Sequence, residues 1–152
     1  MAQETENRQV IVTQDRKYST QGYPSVVNLT EDVKGFLESI GAEEGLITIF
    51  ISGSTAGITT IEYEPGLLKD LPELWDRLAP RAHRYHHDKT WGDGNGYAHL
   101  LGALFRSSLS VPVVGGELLT GTWQQIVMCD FDNRPRQRQV IFQWIGSVNH
   151  KR

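Results

Sequence analysis

The sequence is poor in cysteine, since Cys129 is the only one among 152 residues. One thiol cannot form an internal disulfide, so nothing indicates a secreted domain held together by disulfides. Cys129 lies in the apolar run I-V-M-C at residues 126–129. Free cysteines in such runs are usually buried and unreactive, so we expect Cys129 to belong to the core and not to act as a nucleophile.

An excess of basic charge is also missing. The formal net charge is −3 and the isoelectric point is about 5.9. Domains that bind nucleic acid broadly show a basic footprint, so we expect no nucleic-acid partner. A local basic patch stays open, because Arg134, Arg136 and Arg138 lie close together with no acid among them.

Long hydrophobic runs are absent as well. No apolar run approaches the length of a membrane span, so we expect no membrane partner. Residues 1–7 are polar and lack the apolar segment of a signal peptide, which predicts a flexible N-terminal tail and a cytoplasmic protein. Residues 8–152 fit one domain. With 39% hydrophobic and 22% charged residues, the chain has the composition of a globular protein.

Strand-forming segments occupy much of the chain. The run L-I-T-I-F-I at residues 46–51 is almost continuously apolar, which favours a strand buried on both faces. Residues 17–22 are expected to form a turn. Residues 52–60 are expected to form a loop, or a loop that enters a short strand through Ile61. The predicted strands cover residues 9–13, 25–29, 46–51, 110–114, 117–119, 123–130 and 138–146.

Three segments have helical spacing. Thr30 is predicted to cap a helix that ends at Gly41. Residues 65–78 also show helical spacing, but Pro72 has no N–H and clashes with the preceding turn. We therefore expect two short helical pieces, with Pro72 in the first turn of the second. A third helix is expected over residues 98–105.

The segment between the second and third helices holds the strongest functional candidates. Residues 79–98 lack apolar periodicity, and long structured loops inside a compact domain usually have a role. Imidazole and carboxylate are the usual ligands of zinc and similar ions. The alternative is a solvated polar loop whose histidines bind neighbouring backbone groups. The candidate side chains are those of His83, His86, His87, Asp88, Asp93, Asn95 and His99.

A loop of small residues, G-S-T-A-G at residues 53–57, is the second candidate. Its exposed backbone N–H groups and the hydroxyls of Ser54 and Thr55 could hold a phosphate or another anion. The loop is not a P-loop, because the G-K-[ST] ending is missing. A plain connection after a buried strand is the alternative.

Two weaker candidates complete the set. Glu62 and Glu64 could supply a general base or a metal ligand, although most glutamates are solvated surface residues. Thr122 and Gln124 could offer hydrogen bonds to a ligand. Between them, Trp123 is expected to pack in the core unless this segment belongs to a site.

Four segments together resemble the YjbQ family, described as secondary thiamine-phosphate synthase-like proteins. They are the Y-x-H match at residues 85–87, the D-G-N-G-x-A-H run at residues 93–99, the S-L-x-V-P-V segment at residues 108–113, and G-T-W-Q at residues 121–124. The resemblance extends from the first predicted strand to Gly146.

This resemblance implies an α+β fold with a β-sandwich-like core of mostly antiparallel strands and a few short helices, assembled as a homotrimer. It also implies weak thiamine-phosphate synthase activity, which joins a pyrimidine pyrophosphate to a thiazole phosphate. That reaction needs its leaving group neutralised by a metal or by directed donors. His87 and His99 are the implied ligands of a divalent metal such as zinc, or of an anion, and Glu62 matches a family carboxylate.

The chain departs from the family pattern in the segment often written H-T-x-A-x-x-T-x-N-E. The histidine falls on Gly53 and the asparagine falls on Ile61. A third histidine ligand is therefore missing there. A metal at His87 and His99 would need Glu62 or another carboxylate, or a histidine from a neighbouring subunit.

Two functional hypotheses follow, with a purely structural protein as the third alternative. The first is an enzyme that transfers a group on a phosphorylated small molecule, with Glu62, His87 and His99 as catalytic candidates. The second is a trimeric binding or regulatory protein for an anionic metabolite, without chemistry. In either case the substrate-binding candidates are Ser54, Thr55, Asp93, Asn95, Thr122 and Gln124.

Overall fold

The structure is a computed structural model that describes residues 9–149, so the predicted tail of residues 1–7 lies outside the described part. In chain order the elements are β1 (Gln9–Thr20), β2 (Ser25–Asn28), α1 (Thr30–Ser39), β3 (Ala42–Ser52), β4 (Ala56–Ile61), α2 (Pro65–Leu78), α3 (Asp88–Trp91), α4 (Gly96–Phe105), β5 (Ser108–Val114), β6 (Glu117–Leu118), β7 (Gln125–Asp130) and β8 (Arg136–Val148).

The strands form two antiparallel sheets. The larger sheet has the strand order β1-β8-β3-β5-β6, and the smaller has the order β2-β7-β4. Each described strand pair is antiparallel. The predicted α+β class, with mostly antiparallel strands and a few short helices, is confirmed. None of the helices in the described part is both long and apolar enough to cross a membrane.

The main core lies between the two sheets and is closed by α1. Ile47, Ile49 and Ile51 point inward from β3, and Phe142 and Trp144 do so from β8; all five are fully buried. Their alternation with exposed neighbours follows from the two-residue period of a strand. This packing of sheet on sheet is the sandwich-like core that was expected.

A second core lies on the other face of the smaller sheet, under α2 and α4. Trp75 of α2 meets Phe131 edge-on, with ring centroids 4.9 Å apart. Cys129 belongs to this cluster and is fully buried. Burial raises the pKa of its thiol to about 12, so the thiolate is not populated at neutral pH. The prediction that Cys129 belongs to the core is confirmed.

The outer face of β3 differs from its prediction. Leu46 is 40% exposed and Phe50 is 39% exposed, whereas the residues between them on the inner face are buried. The segment is nearly all apolar, yet no described element of the chain covers the outer face of the larger sheet. The expectation of burial on both faces is therefore wrong within one chain.

Helix α2 runs unbroken through Pro72, so the prediction of two helical pieces is wrong. A proline removes one backbone donor and strains one turn. Leu71 and Trp75 bury the apolar side of the helix on either side of this position. In addition, the Tyr23 hydroxyl donates to the Pro72 carbonyl at 3.0 Å, which fixes the local backbone.

Several predicted boundaries also shift. Strand β1 continues to Thr20, through residues expected to turn, because it stays paired with β8 up to Arg136. Strand β4 spans Ala56–Ile61, which agrees with the second alternative, a loop that enters a short strand through Ile61. Thr30 is the first residue of α1, not its cap. Trp123 precedes β7 and is 71% exposed, so its packing in the core is not observed.

Candidate functional site

The histidine-rich loop is braced by one aspartate. The carboxylate of Asp88 accepts hydrogen bonds from the backbone N–H of Tyr85 at 3.0 Å and of Gly96 at 2.9 Å. These two bonds lower the pKa of Asp88. They also tie the short helix α3 to the start of α4, which begins two residues earlier than predicted. The Asp88 carboxylate therefore stabilises the conformation of the loop.

The fold brings His87 and His99 together. His87 lies just before α3 and His99 lies in the first turn of α4, and their ring centroids are 4.1 Å apart with 35° between the planes. Burial, and next the proximity of His87, lower the pKa of His99 below 6.5, against the opposing effect of Asp132 and Asp93. His99 is therefore a neutral imidazole at neutral pH.

An open pocket of about 480 Å³ lies beside this pair, and a second of about 430 Å³ adjoins it along Gly53, Ser54 and His99. The fold thus brings the histidine-rich loop and the small-residue loop to one pocket. Six of the predicted site residues line the larger pocket: Ser54, Thr55, His87, Asp93, Asn95 and His99.

Helix α4 packs directly against the small-residue loop. A Cβ added at Gly102 would stand 2.6 Å from the carbonyl oxygen of Ser54, a distance that excludes any larger side chain. The absence of that side chain lets the helix lie directly against the loop. Because His99 lies on the same helix, this packing fixes the position of Ser54 relative to His99.

A buried ion pair lies behind the larger pocket, which Arg138 lines. Arg138 donates from Nε and from Nη2 to the carboxylate of Asp130, each at 2.7 Å. The same Nη2 donates to the hydroxyl of Thr55 at 2.7 Å. The Thr20 hydroxyl donates to Asp130 at 2.6 Å. Because Asp130 is fully buried, these bonds compensate for its removal from water.

Asp132 is a second fully buried carboxylate behind this pocket. Arg136 donates to its carboxylate from Nε at 2.6 Å, Thr55 from its hydroxyl at 3.0 Å, and Asn95 from Nδ2 at 3.3 Å. Burial alone would raise the pKa of Asp132, but the bonds led by Arg136 and the Asn133 N–H lower it. The carboxylate stays ionised. Because Asn95 donates to Asp132, its Oδ1 is left buried without a partner in the described chain.

These charged residues were not predicted as part of the site. The arginine cluster was left open as an exposed basic patch, but Arg136 and Arg138 turn inward and pair with Asp132 and Asp130. A signal was present in the sequence: two acids spaced by two, followed by arginines at the same spacing. Such a period of two places like charges on one face of an extended segment.

Three predicted residues lie elsewhere. Glu62 is exposed and follows the far end of β4, about 20 Å of extended strand from Ala56 beside the pocket. Gln124 donates to Thr60 at 3.2 Å at that far end, and Thr122 is exposed nearby. A single chain does not bring these residues to the histidine pair.

Glu64 has a structural role. Its side chain accepts from the backbone N–H groups of Gly66, at 2.8 Å, and Leu67, and so caps the N-terminus of α2. A carboxylate at this position also favours the positive end of the helix dipole. Glu64 is thereby removed from the list of candidate bases.

The fit to a metal ion is incomplete. Among residues 9–149 no group of three histidine, cysteine, aspartate or glutamate side chains is placed to hold a metal. His87 and His99 would be two ligands, whereas zinc takes three or four from the protein. The side chain that could have been a third is absent at Gly53.

Comparison with known proteins gives a consistent family. The family model described as UPF0047 protein YjbQ-like matches residues 14–147. A UPF0047 protein of Archaeoglobus fulgidus is 37% identical over 116 residues, covering 76% of this chain and 87% of the relative. The UPF0047 protein YugU of Bacillus subtilis is 33% identical over 122 residues, covering 80% and 89%.

Solved structures agree with these matches. A protein of Sulfolobus solfataricus described as YbjQ-like and of unknown function has a TM-score of 0.87 at 27% identity, covering 92% of this chain and 100% of its own. An uncharacterised YjbQ/UPF0047 protein of Clostridium acetobutylicum has a TM-score of 0.73 at 30% identity, covering 86% and 98%. Both proteins share the two-sheet architecture described above.

Proposed function

The chain belongs to the YjbQ-like UPF0047 family, and on this premise we propose that its histidine pocket binds a phosphorylated small molecule. One observation carries the proposal: two imidazoles in contact, the loop of Ser54 and Thr55, and two arginines all border one open pocket. The pocket is large enough for a compact metabolite, since ligand sites commonly start near about 300 Å³.

The donors around the pocket suit an oxyanion. The exposed Ser54 hydroxyl and the adjacent backbone N–H groups lie on one side, and the guanidinium of Arg136 lies on another. Charge-assisted hydrogen bonds from such groups are roughly twice as strong as neutral ones. Backbone N–H groups in glycine-rich turns also bind anions. Both features favour a phosphoryl group over an uncharged ligand.

Group transfer on that ligand is the second candidate function. The observation that favours it is the neutral His99 imidazole in contact with His87, since a neutral imidazole accepts a proton. The weak thiamine-phosphate synthase activity implied by the sequence resemblance is one such transfer. Glu62 would take part only if a neighbouring subunit brought it to the pocket.

A divalent metal such as zinc is not needed by this proposal. His87 and His99 would hold it, and it would supply charge neutralisation for a leaving phosphate. Because one chain offers two ligands and not three within its described residues, we derive no step through a metal.

The homotrimer and cytoplasmic residence remain predictions. For the trimer we propose that the outer face of the larger sheet is covered by a second copy of the chain. Ile11, Ile145 and Leu46 pair in register across β1, β8 and β3, so their exposed side chains form one apolar row. Burial of such a row in a copy is favourable, at about 25 cal/mol per Å².

The test of the proposed function compares histidine variants. Phosphorylated metabolites should raise the melting temperature of the wild type, because a ligand selective for the folded state stabilises it. His87→Ala and His99→Ala should lose this shift. His86→Ala is the matched control, because His86 is exposed and does not line the pocket.

Two outcomes would contradict the proposal. The first is a wild type whose melting temperature no phosphorylated metabolite changes. The second is a shift that His87→Ala and His99→Ala retain in full. The transfer reaction is measured separately, as turnover of a pyrimidine pyrophosphate with a thiazole phosphate. Binding without turnover would support a function in ligand binding alone and would contradict the proposed group transfer.

A further inference from the structure

Arg138 has one donor that the buried ion pair does not use. The residue is only 6% exposed, and its Nε and Nη2 are engaged by Asp130 and Thr55. Its remaining amino group, Nη1, has no hydrogen-bond partner within residues 9–149. Nη1 is not among the fully buried side-chain atoms that lack a partner, so it keeps some exposure and a ligand oxygen can reach this unused donor.

Gly53 uncovers this donor. A Cβ at residue 53 would stand 3.0 Å from Nη1, and Gly53 and Arg138 both line the larger pocket. The backbone of Gly53 has φ = +137°, a conformation that residues with a side chain rarely adopt. The glycine therefore leaves an opening in the pocket wall directly over the guanidinium.

We propose that Arg138 Nη1, reached through the opening at Gly53, is the donor that holds a phosphoryl oxygen of the ligand. This inference rests on the proposed function and names its anion subsite. The bonds from Arg138 to Asp130 and Thr55 fix the guanidinium before the ligand arrives. A pre-organised donor loses little conformational entropy on binding, which makes it a better anion site than a mobile surface arginine.

The proposed subsite carries little net charge. Asp130 already neutralises Arg138, so the subsite does not attract anions by net charge alone. At this subsite the phosphoryl oxygen is held by a directed N–H and not by an excess of positive charge. Ser54 and His99 line the same pocket as Arg138.

The test uses inorganic phosphate and two glycine variants. Gly53→Ala places a methyl group over Nη1, and titration calorimetry should show phosphate affinity reduced about tenfold or more, the size expected for one charge-assisted hydrogen bond. Gly115→Ala is the control. Gly115 also has a positive φ, of 59°, but a Cβ there meets nothing within 4 Å and it lies in the β5–β6 turn away from the pocket. This variant should bind phosphate like the wild type.

A second measurement avoids any change to the loop. In wild-type protein labelled at arginine, added phosphate should shift the guanidinium NMR signals of Arg138 more than those of Arg106, which borders the adjoining pocket. Arg138→Lys assigns the signal and should lose phosphate affinity while remaining folded by circular dichroism. If that variant unfolds, the wild-type titration still decides the matter.

The possible results separate this inference from the proposed function. If phosphate binds the wild type and Gly53→Ala equally and leaves the Arg138 signals unmoved, the subsite is wrong while the pocket proposal stands. If neither phosphate nor any phosphorylated metabolite binds the wild type, both are overturned. Loss of phosphate binding in Gly53→Ala but not in Gly115→Ala, with a shift at Arg138, supports the subsite.

Discussion

Thr55 links the two buried ion pairs through a single hydroxyl. Its Oγ1 accepts from Arg138 and donates to Asp132, so one oxygen joins a cation on one side to an anion on the other. The side chain is 4% exposed. Water cannot replace either bond if the hydroxyl is removed without leaving space for it.

Thr55→Val should therefore destabilise the protein by about 1–3 kcal/mol, because the isosteric methyl removes one buried acceptor from Arg138 and one buried donor from Asp132. Urea denaturation measures the change in free energy of unfolding. Thr48→Val is the control, because Thr48 bonds to Ser110 on the exposed sheet face and should change by less than about 0.5 kcal/mol. Equal effects at the two positions would contradict a special role for Thr55.

His99 makes stability depend on pH. Its folded pKa lies below 6.5, so between that value and 6.5 the unfolded chain holds more protons than the folded one. Stability then rises with pH across this window and is lost as the pH falls through it. The folded pKa of Asp132 is also lowered, but its contribution is present above 3.8 and is lost only as the pH falls below that value.

His99→Gln should flatten the pH dependence of the free energy of unfolding just below pH 6.5. Denaturant titrations at pH values from 5 to 8 would measure it. His86→Gln, at an exposed position, should keep the slope of the wild type. A slope unchanged in His99→Gln would show that His99 is not the group responsible.

The histidine pair of the site was predictable from the sequence, whereas its buried ion pairs were not. His87 and His99 were singled out by the resemblance to the YjbQ family, and the fold does bring them together. The ion pairs of Asp130 with Arg138 and of Asp132 with Arg136 were not predicted. The pair of Asp130 and Arg138 joins β7 of the smaller sheet to β8 of the larger one. The spacing placed like charges on one face of each segment, but it did not reveal that these two strands would face each other.

At the scale of elements, α2 shows how local and tertiary effects compete. Pro72 was expected to break the helix, yet burial of Trp75 and the bond from Tyr23 keep it continuous. The cap at Glu64 contributes at the other end, where the first N–H groups of a helix otherwise lack partners.

Glu64→Ala should cost about 1 kcal/mol of stability through loss of this cap. Glu62→Ala provides the comparison, because Glu62 is an exposed glutamate two residues away that makes no side-chain bond within the described chain. Thermal denaturation of the two variants side by side measures the difference. A melting temperature lowered as much by Glu62→Ala as by Glu64→Ala would count against the cap.

Strand and helix positions were predicted well where the pattern was local. The turn at Gly115 and Gly116 and its return strand are observed, because tight glycine turns are encoded in a few adjacent residues. The length of β1 was underestimated, since residues 14–20 are polar and become strand only through pairing with β8.

At the scale of the whole molecule, the two faces of the larger sheet differ sharply. The inner face packs against the smaller sheet and α1, while the outer face presents Leu46, Phe50 and Ile145 to solvent, each at least 39% exposed. The apolar run of β3 led to an expectation of burial on both sides. That expectation fails for one chain and would hold in an assembly that covers the outer face.

The assembly prediction follows from this contrast. Wild-type protein should be a trimer by native mass spectrometry, and Ile145→Lys should shift it toward monomers, because a charged side chain in the middle of the row of Ile11, Ile145 and Leu46 is costly to bury. Leu119→Lys is the control, since Leu119 is an exposed apolar residue outside the five strands of the sheet and should leave the trimer intact. Circular dichroism must show both variants folded, so that a change in mass reports lost association and not an unfolded core. A wild type that stays monomeric at high concentration would mean that the exposed row is an ordinary surface. Trimers that persist in Ile145→Lys would place the interface on another face.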